Sequence, residues 1–163
     1  MRGEDGLLPA IRALYRGDRE EAVRLRPDDH ELTTYEAATF GRVDRLRALL
    51  DEDPERVREW SPDGFAPLHG ALFGGSEDAV CLLIERGADL EALSTASFAK
   101  VRPLGTAAFV RSVPLVTLLL DAGADPNGEG EGGFTALDTA VQNEDGELIG
   151  LLSARGARKR VGD

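Results

Sequence analysis

The sequence predicts an all-α repeat solenoid, in which pairs of helices stack side by side and are joined by extended finger loops. Two short motifs recur together in three copies, at steps of 36 and 33 residues. Self-similarity at such a period is the signature of stacked repeats. Within the second motif, apolar residues recur at i, i+3 spacing, as they do on the buried face of a helix. One repeat cannot bury its own apolar face, so stacking is required.

The first motif of each copy begins a helix. Pro67 and Pro103 stand where a helix tolerates a missing backbone N–H. Thr135 offers an N-cap hydroxyl in the last copy, whereas Ala66 and Arg102 offer none, and a missing cap costs about 1 kcal/mol. We therefore expect the earlier helices to depend more on packing. The three copies of the first motif are Gly64–Ala71, Arg102–Ala108 and Gly133–Ala140.

The second motif forms the second helix and ends in Gly-Ala, as expected of a helix C-terminal glycine. Between the two helices, Gly41 and Gly75 are expected to take left-handed dihedral angles. Arg111 and Glu144 occupy the same place in the last two copies, which predicts local strain or an altered turn. The three copies are Ala79–Asp89, Leu115–Asn127 and Leu148–Ala157.

Together these motifs resemble the ankyrin repeat, whose pattern begins Gly-x-Thr-Pro-Leu-His-x-Ala-Ala and ends Leu-Leu-Leu-x-x-Gly-Ala-Asp-x-Asn, with a period near 33 residues. A degraded fourth copy lies at 36–50, and 10–25 resembles a truncated N-terminal cap. The resemblance implies helix-turn-helix units with β-hairpin fingers, about four repeats and a cap. One domain is expected, with the cap at 1–31, repeats at 32–62, 63–95, 96–131 and 132–158, and a tail at 159–163.

Composition argues against several classes of function. The chain has 19 basic and 30 acidic residues, and its formal net charge of -11 argues against a nucleic-acid partner. A single cysteine, Cys81, allows neither an internal disulfide nor a Cys-based zinc site. No apolar run approaches the ~18 residues that span a bilayer, and the acidic N-terminus does not match a secretory signal. We expect an acidic, cytoplasmic, bacterial protein with no cofactor, metal or membrane contact.

The resemblance also implies where a partner protein would bind, because ankyrin repeats usually contact partners through the fingers and the exposed ends of the first helices. The phenylalanines concentrate there. The connection 93–101 is about three residues longer than the ankyrin norm, either as a tolerated insertion or as a finger that touches a partner. The predicted partner-binding residues are Phe40, Trp60, Phe65, Phe73, Phe98, Phe109, Val110, Phe134, Gln142 and Asn143.

Two arrangements of these aromatic residues are open. They could form an exposed strip that marks a binding site, or Phe40, Phe73 and Phe109 could pack on one another between repeats. Gly74, beside Phe73, is expected to leave room for a shallow apolar pocket that accepts a side chain or a small apolar ligand.

Two further functions are considered beside a non-catalytic protein-binding module. His69 holds the family's His position, where it has a structural role, yet an acid/base pair made from His69, Asp138, Glu36 or Tyr35 would give a small-molecule binder or an enzyme. An acidic cluster would suit an immunity or antitoxin-type inhibitor of a basic protein, although a solvated surface is the simpler interpretation. The cluster comprises Glu129, Glu131, Glu144, Asp145 and Glu147.

Overall fold

The computed structural model describes residues 1–160, and all regular secondary structure in that part of the chain is helical. Its helices form five consecutive pairs, which confirms the predicted all-α solenoid. The first helices stack on one another, α3 on α5, α5 on α7 and α7 on α9. The pairs are α1 (Pro9–Tyr15) with α2 (Arg19–Leu25), α3 (Thr34–Thr39) with α4 (Val43–Glu52), α5 (Pro67–Gly74) with α6 (Glu77–Glu85), α7 (Pro103–Phe109) with α8 (Val113–Asp121), and α9 (Ala136–Gln142) with α10 (Gly146–Ala154).

The N-terminal unit, expected as a truncated cap, contains a complete helix pair. Leu8 and Ile11 are buried and join the core that runs through the stack. The predicted tail, 159–163, lies partly outside the described residues. Within residues 1–160, no helix is long and apolar enough to cross a membrane.

Local sequence signals place the helix ends where they were predicted. Pro67 and Pro103 open α5 and α7, and neither helix has a side-chain cap on its preceding residue. The hydroxyl of Thr135 caps α9 by accepting a hydrogen bond from the Asp138 N–H at 3.2 Å.

The turns inside the helix pairs are left-handed, as predicted. The φ angles are +63° at Gly41 and +79° at Gly75, and they are +57° at Arg111 and +52° at Glu144. A side chain in this region costs on the order of 1 kcal/mol, so two of the turns carry the predicted strain.

The fingers are turns rather than regular β-hairpins, since the described residues contain no β-strand. Each finger is closed by a backbone hydrogen bond instead. The Ser61 N–H donates to the Phe65 carbonyl at 2.8 Å, and the Gly130 N–H donates to the Phe134 carbonyl at 2.7 Å.

Glycine lets α3 and α5 approach each other closely. A Cβ atom added at Gly74 would lie 1.9 Å from the carbonyl oxygen of Thr39, and one added at Gly70 would lie 2.4 Å from the Thr39 hydroxyl. This contact fixes the distance between two helices that form the candidate site. Gly74 lines a depression that also contains Phe40, whereas the apolar groove beside Phe73 does not include Gly74.

Candidate functional site

An apolar groove of about 340 Å³ lies along the first helices of the stack. We call it the aromatic groove, because six of its lining side chains are Phe or Tyr. Five of these rings contact one another, and the sixth belongs to Phe109. Every helix pair and two of the fingers contribute to it. Its lining residues are Tyr15, Tyr35, Phe65, His69, Phe73, Phe98, Ala99, Val101, Gly105, Thr106, Phe109 and Thr139.

The rings form a connected arc around Tyr15. Its ring centroid lies 5.5 Å from that of Phe73 and 6.2 Å from that of Phe98, both edge-to-face. Phe98 lies 5.7 Å from Phe65, which is stacked on Tyr35 at 6.5 Å. Aromatic pairs at such distances contribute about 0.5–1.5 kcal/mol each beyond their buried area, so the arc holds its own shape.

Three of these residues share one register position. Tyr15, Phe73 and Phe109 each stand two residues before the left-handed turn residue of their helix pair. Equivalent positions in stacked repeats lie side by side, so the repeat places these rings along one edge of the groove.

Most of the long connection 93–101, namely loop 94–101, forms a wall of the groove. The Ser94 N–H donates to the Val101 carbonyl at 3.0 Å, and the Val101 N–H donates to the Ser94 hydroxyl oxygen at 2.9 Å. The Thr95 N–H donates to the Gly64 carbonyl at 2.9 Å. These bonds fold the loop back on the preceding finger, so Phe98 reaches Tyr15 and Phe65 while its side chain stays 65% exposed.

A chain of hydroxyl groups runs beneath the rings. The Tyr15 hydroxyl donates to Asp63 Oδ2 at 2.6 Å and lies 3.0 Å from the Tyr35 hydroxyl. Because the hydroxyl proton of Tyr15 is donated to Asp63, the Tyr35 hydroxyl must donate its own proton to the Tyr15 oxygen. The Ser61 hydroxyl donates to Asp63 Oδ1 at 2.6 Å. Burial raises the pKa of Tyr35 to about 12 and raises the pKa of Tyr15 as well, so both phenols are neutral at physiological pH.

His69 is a structural residue at the base of the groove. Its Nδ1 accepts the Ala66 N–H at 3.3 Å, so Nε2 carries the proton and donates to the Val101 carbonyl at 2.9 Å. Burial lowers the pKa of His69 to about 4 and keeps the ring neutral. The imidazole therefore joins the start of α5 to the inserted loop.

The proposed acid/base residues do not come together. Glu36 Oε2 accepts the Thr33 N–H at 2.9 Å and pairs with Arg2 at 2.8 Å, which makes Glu36 a capping residue of α3. Asp138 Oδ2 likewise accepts the Thr135 N–H at 2.8 Å. Neither carboxylate lines the aromatic groove; of the four candidates, Tyr35 and His69 do. Because Glu36 and Asp138 are held in these capping bonds, the structure does not bring a carboxylate to His69 or Tyr35 in the groove.

The predicted partner-binding residues divide between the groove and four other places. Phe40 lies in a separate depression with Leu14 and Val23, so the three helix-end phenylalanines form neither one strip nor one packed cluster. Trp60 is 45% exposed beside Ala88, and Phe134 is 43% exposed in a depression that includes Lys100. Those in the groove are Phe65, Phe73, Phe98 and Phe109, and those at the turn ends are Val110, Gln142 and Asn143.

Two residues of the site were missed by the sequence reasoning. Tyr15 lies in the unit predicted to be a truncated cap, and Asp63 was not among the predicted site residues. A signal for Tyr15 was present, because it precedes Gly17 by the same two residues that separate Phe73 from Gly75.

The acidic cluster is distinct from the groove. Asp145 caps α10 by accepting the Leu148 N–H at 3.2 Å and lies 3.2 Å from Arg111, and the hydrogen bond from Leu148 is the main cause that lowers the pKa of Asp145. Within residues 1–160, no group of three or more His, Cys, Asp or Glu side chains is arranged to hold a metal ion. The other members of the cluster, Glu129, Glu131, Glu144 and Glu147, are exposed.

Comparison with known proteins gives one consistent family. Residues 63–95 match the family model described as ankyrin repeat. The "Ankyrin repeat and SAM domain-containing protein 6" of Rattus norvegicus is 30% identical over 131 residues, which cover 79% of this chain and 14% of that protein. A "Putative ankyrin repeat-containing protein" of Treponema pallidum is 39% identical over 123 residues, which cover 76% of this chain and 40% of that protein. The chain thus spans less than half the length of these relatives.

A solved structure shows the same likeness. The crystal structure of the ankyrin repeat domain of Bcl-3, described as a member of the IkappaB protein family, superposes with a TM-score of 0.68 at 33% sequence identity. The match covers 77% of this chain and 55% of that one. The shared arrangement is the stack of helix pairs described above.

Proposed function

Since the chain is an ankyrin repeat protein, we propose that it is a non-catalytic protein-binding module whose recognition site is the aromatic groove. Ankyrin repeats generally serve as protein-interaction scaffolds rather than enzymes, so the coarse function follows from the family. The observation that supports this binding site is the groove itself, which is lined by six Phe and Tyr side chains, with Phe98 and Phe109 mostly exposed to solvent.

Exposed aromatic area supplies the driving force. Phe98 and Phe109 are 65% and 63% exposed at two sides of the groove. Burying a large apolar side chain against a partner contributes about 1.5–3 kcal/mol to the free energy of binding. Burial of both phenylalanines would therefore contribute substantially to the affinity for a partner. Contiguous exposed apolar surface is a common mark of a binding site in a soluble protein.

The walls of the groove are formed before any partner arrives. Loop 94–101 is held by its own hydrogen bonds and by its bond to Gly64, and His69 anchors Val101. A preorganised site loses little entropy of ordering when it binds, which leaves more of the contact energy as affinity.

A small apolar ligand is the second candidate occupant. The groove volume of about 340 Å³ lies at the lower end of the range of ~300–1,000 Å³ that is usual for small-molecule pockets. The immunity-type function depends instead on the acidic cluster, which is outside the groove, so variants of the two surfaces distinguish these proposals.

The experiment is affinity capture from a native lysate with the immobilised chain. The test variant is Phe98→Ala/Phe109→Ala, and the matched control is Val23→Ala/Val141→Ala, which truncates two exposed side chains outside the groove. We expect the wild type and the control to capture the same protein and the groove variant to lose it, with all three equally folded by circular dichroism. Equal capture by the groove variant would show that the recognition site lies elsewhere.

A further inference from the structure

We propose, resting on the proposed function, that the aromatic groove binds an arginine side chain presented by an extended segment of a basic partner protein.

Within residues 1–160, those that line the groove present the negative faces of aromatic rings and no positively charged side chain. Among the described residues that line it, none is Lys or Arg. His69 is neutral and its single N–H is used on the Val101 carbonyl. The faces of the Phe and Tyr rings are negative because of the π-electron quadrupole, and a guanidinium group within about 6 Å of such a ring is attracted to it.

The hydroxyl chain offers acceptors to a ligand. Tyr35 donates to Tyr15, and Tyr15 donates to Asp63, so both phenolic protons point toward the carboxylate. What the pair can present to the groove is therefore phenolic oxygen. A guanidinium group carries only donors, in a planar fork, and it combines stacking on a ring with hydrogen bonds to such oxygens.

Charge favours a cation over a neutral apolar side chain. Asp63 accepts a hydrogen bond from the hydroxyl of Tyr15, which lines the groove, and the whole chain has a formal net charge of -11. A leucine or phenylalanine side chain would make the same ring contacts but would not interact with this negative charge. Lysine is the weaker alternative because its ammonium is strongly hydrated and lacks a planar face. The negative field of the chain would also steer a basic segment toward it.

The test uses short glycine-flanked peptides that differ at one central residue, which is arginine, its neutral isostere citrulline, lysine or leucine. Binding is measured by titration while the ring resonances of the isotopically labelled chain are followed by NMR. We expect the arginine peptide to bind about tenfold more tightly than the citrulline peptide, with shifts in the groove rings. Equal or tighter binding of the citrulline or leucine peptide would overturn the inference.

Variants of single side chains test whether Asp63 and the phenolic oxygens cause the preference for arginine. Asp63→Asn should reduce the preference for arginine over citrulline several-fold, while Glu85→Gln, which removes one exposed carboxylate from α6, should leave the preference intact. Tyr35→Phe keeps the ring and removes a phenolic oxygen, so it gives a second measurement if Asp63→Asn does not fold. An unchanged preference for arginine in both Asp63→Asn and Tyr35→Phe would overturn the inference.

The two proposals fail in different ways. Loss of capture by Phe98→Ala/Phe109→Ala together with no arginine preference would leave the groove as the binding site and refute only its cationic occupant. Capture that does not depend on Phe98 and Phe109 would refute the proposed function itself, whatever the peptides show.

Discussion

Replacing Gly74 by alanine should destabilise the protein, whereas the same replacement at Gly150 should stabilise it. The Cβ atom added at Gly74 would lie 1.9 Å from the Thr39 carbonyl oxygen, about 1.5 Å short of an ordinary contact. At Gly150, in the middle of α10, no atom lies within 4 Å of the added Cβ. The two substitutions are chemically identical, so their difference isolates the contact between α3 and α5.

The expected magnitudes have opposite signs. Gly150→Ala should raise the free energy of unfolding by about 1 kcal/mol, because alanine is the better helix former. Gly74→Ala should lower it by about 3 kcal/mol, the upper end of the cost of overpacking, because the clash is with backbone that has no alternative rotamer. A shift of α3 would also disturb the 3.0 Å bond between the Tyr35 and Tyr15 hydroxyls.

Urea unfolding followed by circular dichroism measures both free energies. Line broadening or shifts of the Tyr15 and Tyr35 ring resonances in Gly74→Ala would report the expected widening of the groove. A Gly74→Ala variant as stable as the wild type would refute the reasoning, because it would mean that α3 and α5 are not held at this distance.

Three other predictions concern single side chains. Between pH 8 and pH 5 the wild type should lose about 2 kcal/mol more stability than His69→Gln, because the unfolded imidazole, with a pKa near 6.5, gains a proton that the buried ring, with a pKa of about 4, does not; equal pH slopes of the melting temperature would contradict this. Glu144→Gly should raise the free energy of unfolding by about 1 kcal/mol by relieving a φ of +52°, and Arg111→Gly should gain less because it also loses an ion pair; urea midpoints below wild type would argue against strain. Thr135→Ala should lower the free energy of unfolding by about 1 kcal/mol through loss of the α9 cap, and an unchanged thermal midpoint would count against it.

The fold could be predicted from the sequence because its determinants are local and repeated. Pro67 opens a helix and Gly75 ends one through their own backbone preferences, whatever surrounds them. The same helix-pair pattern then recurs along the chain. A copy that matches the repeat pattern poorly, such as the one containing Gly41, can therefore be located by alignment with copies that match it well.

The site was predicted less completely because it depends on contacts between repeats. The register identified Phe73 and Phe109, but the contact of Phe98 with Tyr15 arises from how loop 94–101 folds back, which no repeat motif encodes. A second difficulty is that α3 is one residue shorter than α5 between its cap and its turn. Glu36 consequently takes the capping place in α3 that His69 holds in α5.

The position of Tyr15 on α1 couples the groove to the helix pair α1 and α2. In a stack of repeats each unit contacts only its neighbours, so one helix pair can open locally while the others stay folded. Each opening of α1 and α2 removes the Tyr15 ring from Phe73 and Phe98 and dismantles the groove. Any ligand that contacts Tyr15 therefore holds this helix pair closed, and amide hydrogen exchange in α1 and α2 slows as the groove fills.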